Sequence, residues 1–505
     1  MKLEFHGHDE RYIVEQSMMS LFPLEKPVYG AVEPGETDWC RLTAEETAAE
    51  SRVSGELCYG GAAGAAETAY TLSGTAFEQE GQRRYAVAAC FYLAFLDLMK
   101  ALPEAARAAG KLVLPPWGML TGVRPDKPVT WALMEGKSPE EAKAYLKAHY
   151  FVPEERAALA LETGIVGYQA RKRLAARDID LYVGIPFCPT RCAYCSFVSQ
   201  SVERSFGLVE PYVQTLLAEL RAGGEMVREN RLRPRTFYMG GGTPTTLSAG
   251  QLDAVLTALE ESFDLSDCPE LTVEAGRPDT ITAEKLAVLK SHGVTRVSVN
   301  PQTMEDKVLT AIGRRHTAAE TRAAMELVSA YHFPHVNMDL IAGLPEDTPE
   351  GFRRSLDECL AMGADNITVH TLALKKGSRI LTEGLSIPDG DAVQAMLDYA
   401  APALRAAGFA PYYLYRQKYM SGSFENVGWS RPGGECWYNV DIMSELCSIL
   451  SFGAGGSTKM VEPGTNHIER AFNLKYPKEY TERPEKALQN QAAFAKFYAD
   501  YVKDA

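Results

Sequence analysis

The sequence predicts an α/β protein: a (βα)6 partial barrel over 178–409, an N-terminal accessory domain over 1–175 and a small C-terminal domain over 410–505. Three observations predict it. The chain has 505 residues, too many for one ordinary domain. From Asp178 onward, short apolar segments without in/out alternation are separated by amphipathic segments, the pattern of parallel strands covered by helices. That rhythm stops near Ala407, where the composition turns rich in Tyr, Gly and Ser.

Before residue 178 the sequence indicates a strand over Lys2–His6, an Ala/Glu/Gly-rich stretch, and a buried helix over the apolar run Tyr85–Leu96. A Pro-rich turn (Leu114–Trp117), a polar turn (119–127, MLTGVRPDK) and a helix near Pro139–His149 follow. In the barrel segment the expected strands are Asp180–Ile185, Arg235–Met239, Leu271–Ala275, Arg296–Val299, His335–Ile341 and Ile367–Leu372. The expected helices are Pro211–Met226, Ser248–Phe263, Ala283–Ser291, Ala318–Tyr331, Pro349–Met362 and Asp391–Ala407. Six such units place chemistry at the C-terminal ends of the strands. The tail carries a strand candidate at Pro411–Lys418, a Gly-rich segment at Phe452–Ser457 and a helix at Pro484–Tyr501, read together as a cap near the barrel mouth.

Composition narrows the function classes. A net charge of −14 lacks the basic excess of a nucleic-acid surface. The longest apolar run spans twelve residues, against about 20 for a bilayer span. With no secretory signal at the start, a cytoplasmic location is expected. Seven of the ten cysteines are scattered and read as small buried hydrophobes.

The other three form Cys188-Pro-Thr-Arg-Cys192-Ala-Tyr-Cys195, directly after the first barrel strand. Such a short loop can wrap three thiolates around one inorganic core. A structural zinc site would need a fourth ligand, usually from a second Cys pair, and the sequence has none in matching register. Three thiolates leave one iron of a [4Fe–4S] cluster open, able to chelate the amino and carboxylate groups of S-adenosylmethionine (SAM).

After the second strand comes Gly240-Gly241-Gly242-Thr243-Pro244, whose glycines let backbone NH groups approach a ligand. Glu274, Asn300, Gln302, Arg314, Asp339, His370 and Ala373 stand at or beyond later strand ends. The C-x3-C-x2-C spacing with Tyr194 before its last cysteine resembles the radical SAM superfamily. The fuller set resembles the oxygen-independent coproporphyrinogen III dehydrogenases, in their HemZ-type branch.

The resemblance implies a [4Fe–4S] cluster on Cys188, Cys192 and Cys195. It implies SAM contacts from Tyr182, Tyr194, Gly240, Gly241, Gly242, Thr243, Glu274, Gln302, Arg314, Asp339 and Ala373, with Tyr182 and Glu274 taken as catalytic. It implies an oxidoreductase of porphyrin and haem biosynthesis: SAM cleaved at the cluster removes a propionate β-hydrogen of coproporphyrinogen III, and loss of CO2 leaves a vinyl group. An electron donor such as a flavodoxin or ferredoxin is implied as partner. Lys375, Lys376, Arg416 and Lys418 are candidates to meet propionates, and Trp429, Trp437 and Tyr412–Tyr415 to cover the ring.

Two departures bear on the activity. Phe197 stands where the decarboxylase branch has a further cysteine, and Cys436-Trp437-Tyr438-Asn439 stands where the haem-chaperone branch has HN-x2-YW. A haem chaperone and a radical SAM methyltransferase therefore remain beside the decarboxylase as alternatives.

Overall fold

The computed structural model describes residues 1–47, 51–73, 75–110, 112–195, 200–374, 378–417 and 420–502. The chain divides into two compact units, Met1–Pro125 with Glu140–Ala158, and Asp126–Pro139 with Leu159–Ala505.

The first unit is a mixed five-stranded sheet in the order Val28–Tyr29, Lys2–His6, Trp39–Glu46, Ser51–Tyr59, Ala62–Tyr70. The apolar run lies inside the helix Ala76–Ala101, which a Thr75–Glu78 capping box starts. This helix sits close against the sheet, and glycine makes that possible. A Cβ on Gly64 would lie 2.3 Å from Leu98 N and 2.4 Å from Ala94 O. The Ala/Glu/Gly-rich stretch thus forms strands despite its weak strand propensity, because small residues let the helix approach.

In the second unit six strands pair in chain order and all in parallel. They are β1 (Asp178–Ile185), β2 (Arg233–Gly241), β3 (Glu270–Gly276), β4 (Arg296–Val299), β5 (His335–Ala342) and β6 (Asn366–Thr371). The main covering helices are Val202–Glu229, Ala249–Ser262, Ala283–Ser291, Ala318–Ala330, Pro349–Ala361 and Gly390–Ala406. Five of them start at a side-chain cap: Ser248, Thr282, Thr317, Thr348 and Asp389 each accept from an amide in the first turn. Among the described residues β6 does not pair with β1, so the barrel is partial.

The expectation of strands without alternation is corrected by the structure. Along β1, Ile179, Leu181, Val183 and Ile185 are fully buried, and Asp180, Tyr182 and Gly184 occupy the other face. Phe237 and Met239 alternate with Thr236 and Tyr238, and Val273 and Ala275 with Thr272 and Glu274. The helices cover the apolar set; the polar set faces the lumen, where several of its members line a cavity.

The tail also differs from the expected separate domain. Its strands β7 (Ala410–Tyr415) and β8 (Asn426–Ser430) extend the sheet beyond β6, with β8 antiparallel to β6. On the other edge β9 (Ser448–Phe452) pairs in parallel with β1, and β10 (Ser457–Val461) and β11 (Ile468–Phe472) follow. The helix Trp437–Ser444 stacks Tyr438 against Tyr238 at 4.6 Å and Tyr182 at 6.0 Å between ring centroids. Hydrogen bonding to both sheet edges makes the tail part of the barrel's own sheet.

Candidate active site

The strand β1 runs through Pro186 into the cysteine loop, and the glycine turn after β2 closes against it. Gly242 N donates to Ile185 O and Thr243 N to Phe187 O, both at 2.7 Å. Glycine is required here: Gly241 has φ +105°, and a Cβ on Gly242 would lie 2.5 Å from Phe187 O. Thr243 Oγ1 is 3.5 Å from Cys188 Sγ. From the far side, Ala193 N donates to Ile312 O at 2.9 Å and Thr190 Oγ1 to Gly313 O at 3.2 Å. The three-cysteine loop is therefore pinned to the turn after β2 and to Ile312 and Gly313, just beyond the helix Asp306–Ala311.

A cavity of about 360 Å³ opens between this loop and the strand ends. Of the residues expected from the sequence, Cys188, Cys192, Cys195, Tyr194, Gly241, Gly242, Thr243, Glu274, Gln302, Arg314, Asp339 and Ala373 line it. Tyr182 and Gly240 do not. Tyr182 instead stacks on Tyr238, ring centroids 6.3 Å apart, and on Tyr438. Gly240 packs against the Glu274 side chain, its Cβ position 2.9 Å from Cδ.

Charge in the cavity is arranged in two groups. Arg314 lies beside the cysteines, donating to Asn300 O and, at 3.1 Å, to Tyr194 OH. Burial opposes its charge, but Tyr194 and the Cys192 thiol beside it hold the guanidinium protonated, above the ordinary arginine range. Its Nε and the nearby Asn300 Oδ1 are buried with no hydrogen-bond partner. Deeper lie two carboxylates with opposite behaviour. Burial raises Glu274 to about 7, although Tyr238 OH donates to it at 2.6 Å. Asp339 is also pushed up by burial, but His370, Asn337 and Thr368 outweigh this and hold it below its usual range. Asn337 Nδ2 donates to Asp339 Oδ1 at 2.8 Å, and His370 Nε2 is 3.8 Å from Oδ2.

Among the further lining that was not singled out in the sequence are Tyr238, Arg277, Asn337, Thr368, Asn426 and Met443. For Tyr238, Asn337 and Thr368 a signal existed, since each occupies a polar position of an alternating strand. Of the tail candidates, Tyr413 and Tyr415 reach the cavity with Gln417. Tyr412 is buried on Asn366, Trp429 carries Arg405 over its ring at 5.3 Å, and Trp437 carries Arg173 at 4.8 Å. Arg416 does not line the cavity; it donates to Ser423 O, and burial lowers it to about 10. Phe197, Lys375, Lys376 and Lys418 lie outside the described residues.

Residues 182–359 match the Radical SAM superfamily. A HemZ protein of Bacillus subtilis, described as oxygen-independent coproporphyrinogen-III oxidase-like, is 39% identical over 378 residues, 73% of this chain and 74% of that protein. The chain belongs to this oxidase-like family of radical SAM proteins. A heme chaperone HemW of Mycobacterium tuberculosis is 31% identical over 336 residues, 65% of this chain and 80% of its own. The coproporphyrinogen III oxidase HemN of Escherichia coli shares the fold, with a TM-score of 0.50 and 22% identity over 64% of this chain and 73% of that one.

As a radical SAM protein the chain uses a [4Fe–4S] cluster and SAM. The donor set fits both. Three thiols of one loop face one cavity, and no disulfide joins any of the cysteines. Among the described residues no group of three or more His, Cys, Asp or Glu is gathered to hold a single metal ion. The buried Arg314 Nε and Asn300 Oδ1 offer a donor and an acceptor to a zwitterion. Among the described residues no helix is long and apolar enough to cross a membrane.

Proposed function

We propose that this radical SAM protein converts propionate side chains of coproporphyrinogen III to vinyl groups with release of CO2, in porphyrin and haem biosynthesis. The observation that carries the reading is the convergence, on one cavity, of the three thiols, Arg314, two half-buried carboxylates and the tail residues Tyr413, Tyr415 and Gln417. The tetrapyrrole class is supported by the HemZ relative.

In this reading Cys188, Cys192 and Cys195 hold the cluster. Gly241, Gly242 and Thr243 present backbone to the SAM amino group, and Arg314 takes its carboxylate. Glu274, Gln302 and Asp339 accept from the ammonium and ribose hydroxyls, while Tyr194 and Ala373 complete the wall. When bound, the cluster and SAM supply the hydrogen-abstracting chemistry. The protein's own work is to orient the substrate carbon and exclude water, and the buried Tyr413 and half-buried Tyr415 give an aromatic wall for that. The expected electron donor, a flavodoxin or ferredoxin, belongs to the same proposal.

The HemW relative favours a second reading, a haem chaperone. An anaerobic assay with reconstituted cluster, SAM, reductant and coproporphyrinogen III tests both. Vinyl products by mass spectrometry support the first. Stoichiometric haem capture without vinyl products replaces it by the second.

A further inference from the structure

We propose that Arg277 is a positioning residue for the cysteine loop whose buried charge also favours reduction of the cluster. The inference rests on the placement of the cluster on Cys188, Cys192 and Cys195.

Arg277 follows β3 in the turn Gly276-Arg277-Pro278-Asp279 and is only 3% exposed. Asp279 grips one side of the guanidinium: Nε donates to Oδ1 at 2.9 Å and Nη2 to Oδ2 at 2.7 Å. The remaining edge faces the cysteine loop. Nη1 donates to Thr190 Oγ1 at 2.7 Å and to Thr190 O at 3.2 Å. Thr190 is two residues from both Cys188 and Cys192, and Arg277 lines the same cavity as the thiols.

This geometry does two things. It fixes the loop, because a bidentate fork anchored by a carboxylate has little freedom to turn. It also orients a pair of charges, cation toward the loop and anion held on the guanidinium's other edge. His316, buried at 4.0 Å from Asp279, does not offset that anion; burial and Arg314 push its imidazole down to about 3, so it is neutral. A cluster with three thiolates gains one further negative charge when it takes an electron. A buried cation facing it stabilises the reduced form, since cluster potentials respond to net charge and hydrogen bonding nearby.

The test is a redox titration of the reconstituted full-length protein with dithionite as the electron source, followed by EPR, with iron content and thermal midpoint measured alongside. Arg277→Gln is expected to keep its iron and to lower the reduced-to-oxidised ratio at fixed poise about tenfold, about 59 mV for one electron. Arg277→Lys should recover most of that shift. Asp279→Asn, which leaves the cation uncompensated, should move the potential the other way. An unchanged potential in Arg277→Gln at full iron content overturns the proposal, as do shifts of the same sign in Arg277→Gln and Asp279→Asn. If Arg277→Gln loses its iron, Asp279→Asn decides: a raised potential supports the role and an unchanged one removes it. Failure of the cluster placement would show separately, as full iron content in the Cys195→Ala protein.

Discussion

Glu270 and Glu274 lie four residues apart on the same face of β3, and the chain treats them oppositely. Glu270 accepts from Cys436 Sγ at 3.2 Å, Trp437 N at 2.6 Å and Tyr438 N at 3.2 Å. It caps the helix Trp437–Ser444, whose first amides have no partner within the helix. Glu274, two pleat repeats nearer the strand's C-terminal end, has Tyr238 as its hydrogen-bonding side chain and faces the cavity. A buried carboxylate saturated by its own chain is structural. One left with open lone pairs on a cavity is available to a ligand. The lower lumen is closed by the tail, and the upper lumen is left open by it.

Four changes would break or sharpen this contrast. The largest effect belongs to the loop: Cys188→Ala, Cys192→Ala or Cys195→Ala should each abolish an iron content of about four per chain and the broad absorbance near ~400 nm. Cys90→Ala and Cys268→Ala should leave both unchanged. Next, Glu270→Ala should cost about 2–4 kcal/mol in urea denaturation, because it uncaps a helix and strands a buried thiol and two amides. Glu274→Gln should cost under about 1 kcal/mol in the same measurement. A reversed order would sink the distinction between the two carboxylates. Third, Arg314→Ala should keep the iron but weaken SAM binding by about 1.5–3 kcal/mol, read by equilibrium dialysis. Unchanged affinity there would remove Arg314 from the SAM pocket.

The smallest effect is one of pH. Glu274 is raised to about 7, so below that it is protonated and a poor partner for a cationic ligand. SAM affinity should rise as pH increases through about 7 and then level off, and Glu274→Gln should flatten that rise. The stability effect has the opposite sign. A raised carboxyl pKa contributes stability that is present below the unfolded value of 4.5 and lost as pH rises to about 7. Calorimetry with and without SAM separates the two. A pH-independent affinity in the wild type would mean that Glu274 does not face the cation.

Most of the barrel was legible because each of its elements is local. Amphipathic helices and short strands of apolar residues need no distant partner to be recognised. The cysteine loop and the glycine turn were legible because their chemistry dictates their spacing. Three things were not. The polar alternation along β1 to β6 was hidden by reading the strands as uniformly apolar, and with it went Tyr238, Asn337 and Thr368. The strands β8 and β9 each take a neighbour from a distant segment, Asn426–Ser430 from β6 and Ser448–Phe452 from β1. Trp429, Trp437 and Arg416 carry the side chains a ligand would want, but tertiary packing gives them partners within the fold.

The pairing of β9 with β1 has a consequence for how the molecule is made. Ser448 meets Ile179 and Phe452 meets Val183, so two adjacent strands of one sheet lie more than half the chain apart in sequence. Pairing of that range is slow to form, because the entropy of closing the loop is lost before any contact rewards it. During synthesis β1 emerges long before β9, so that edge of β1 stays unpaired until Ser448–Phe452 has followed. The strand that leads into the cysteine loop therefore gains its second sheet neighbour late, after all six barrel strands have been made.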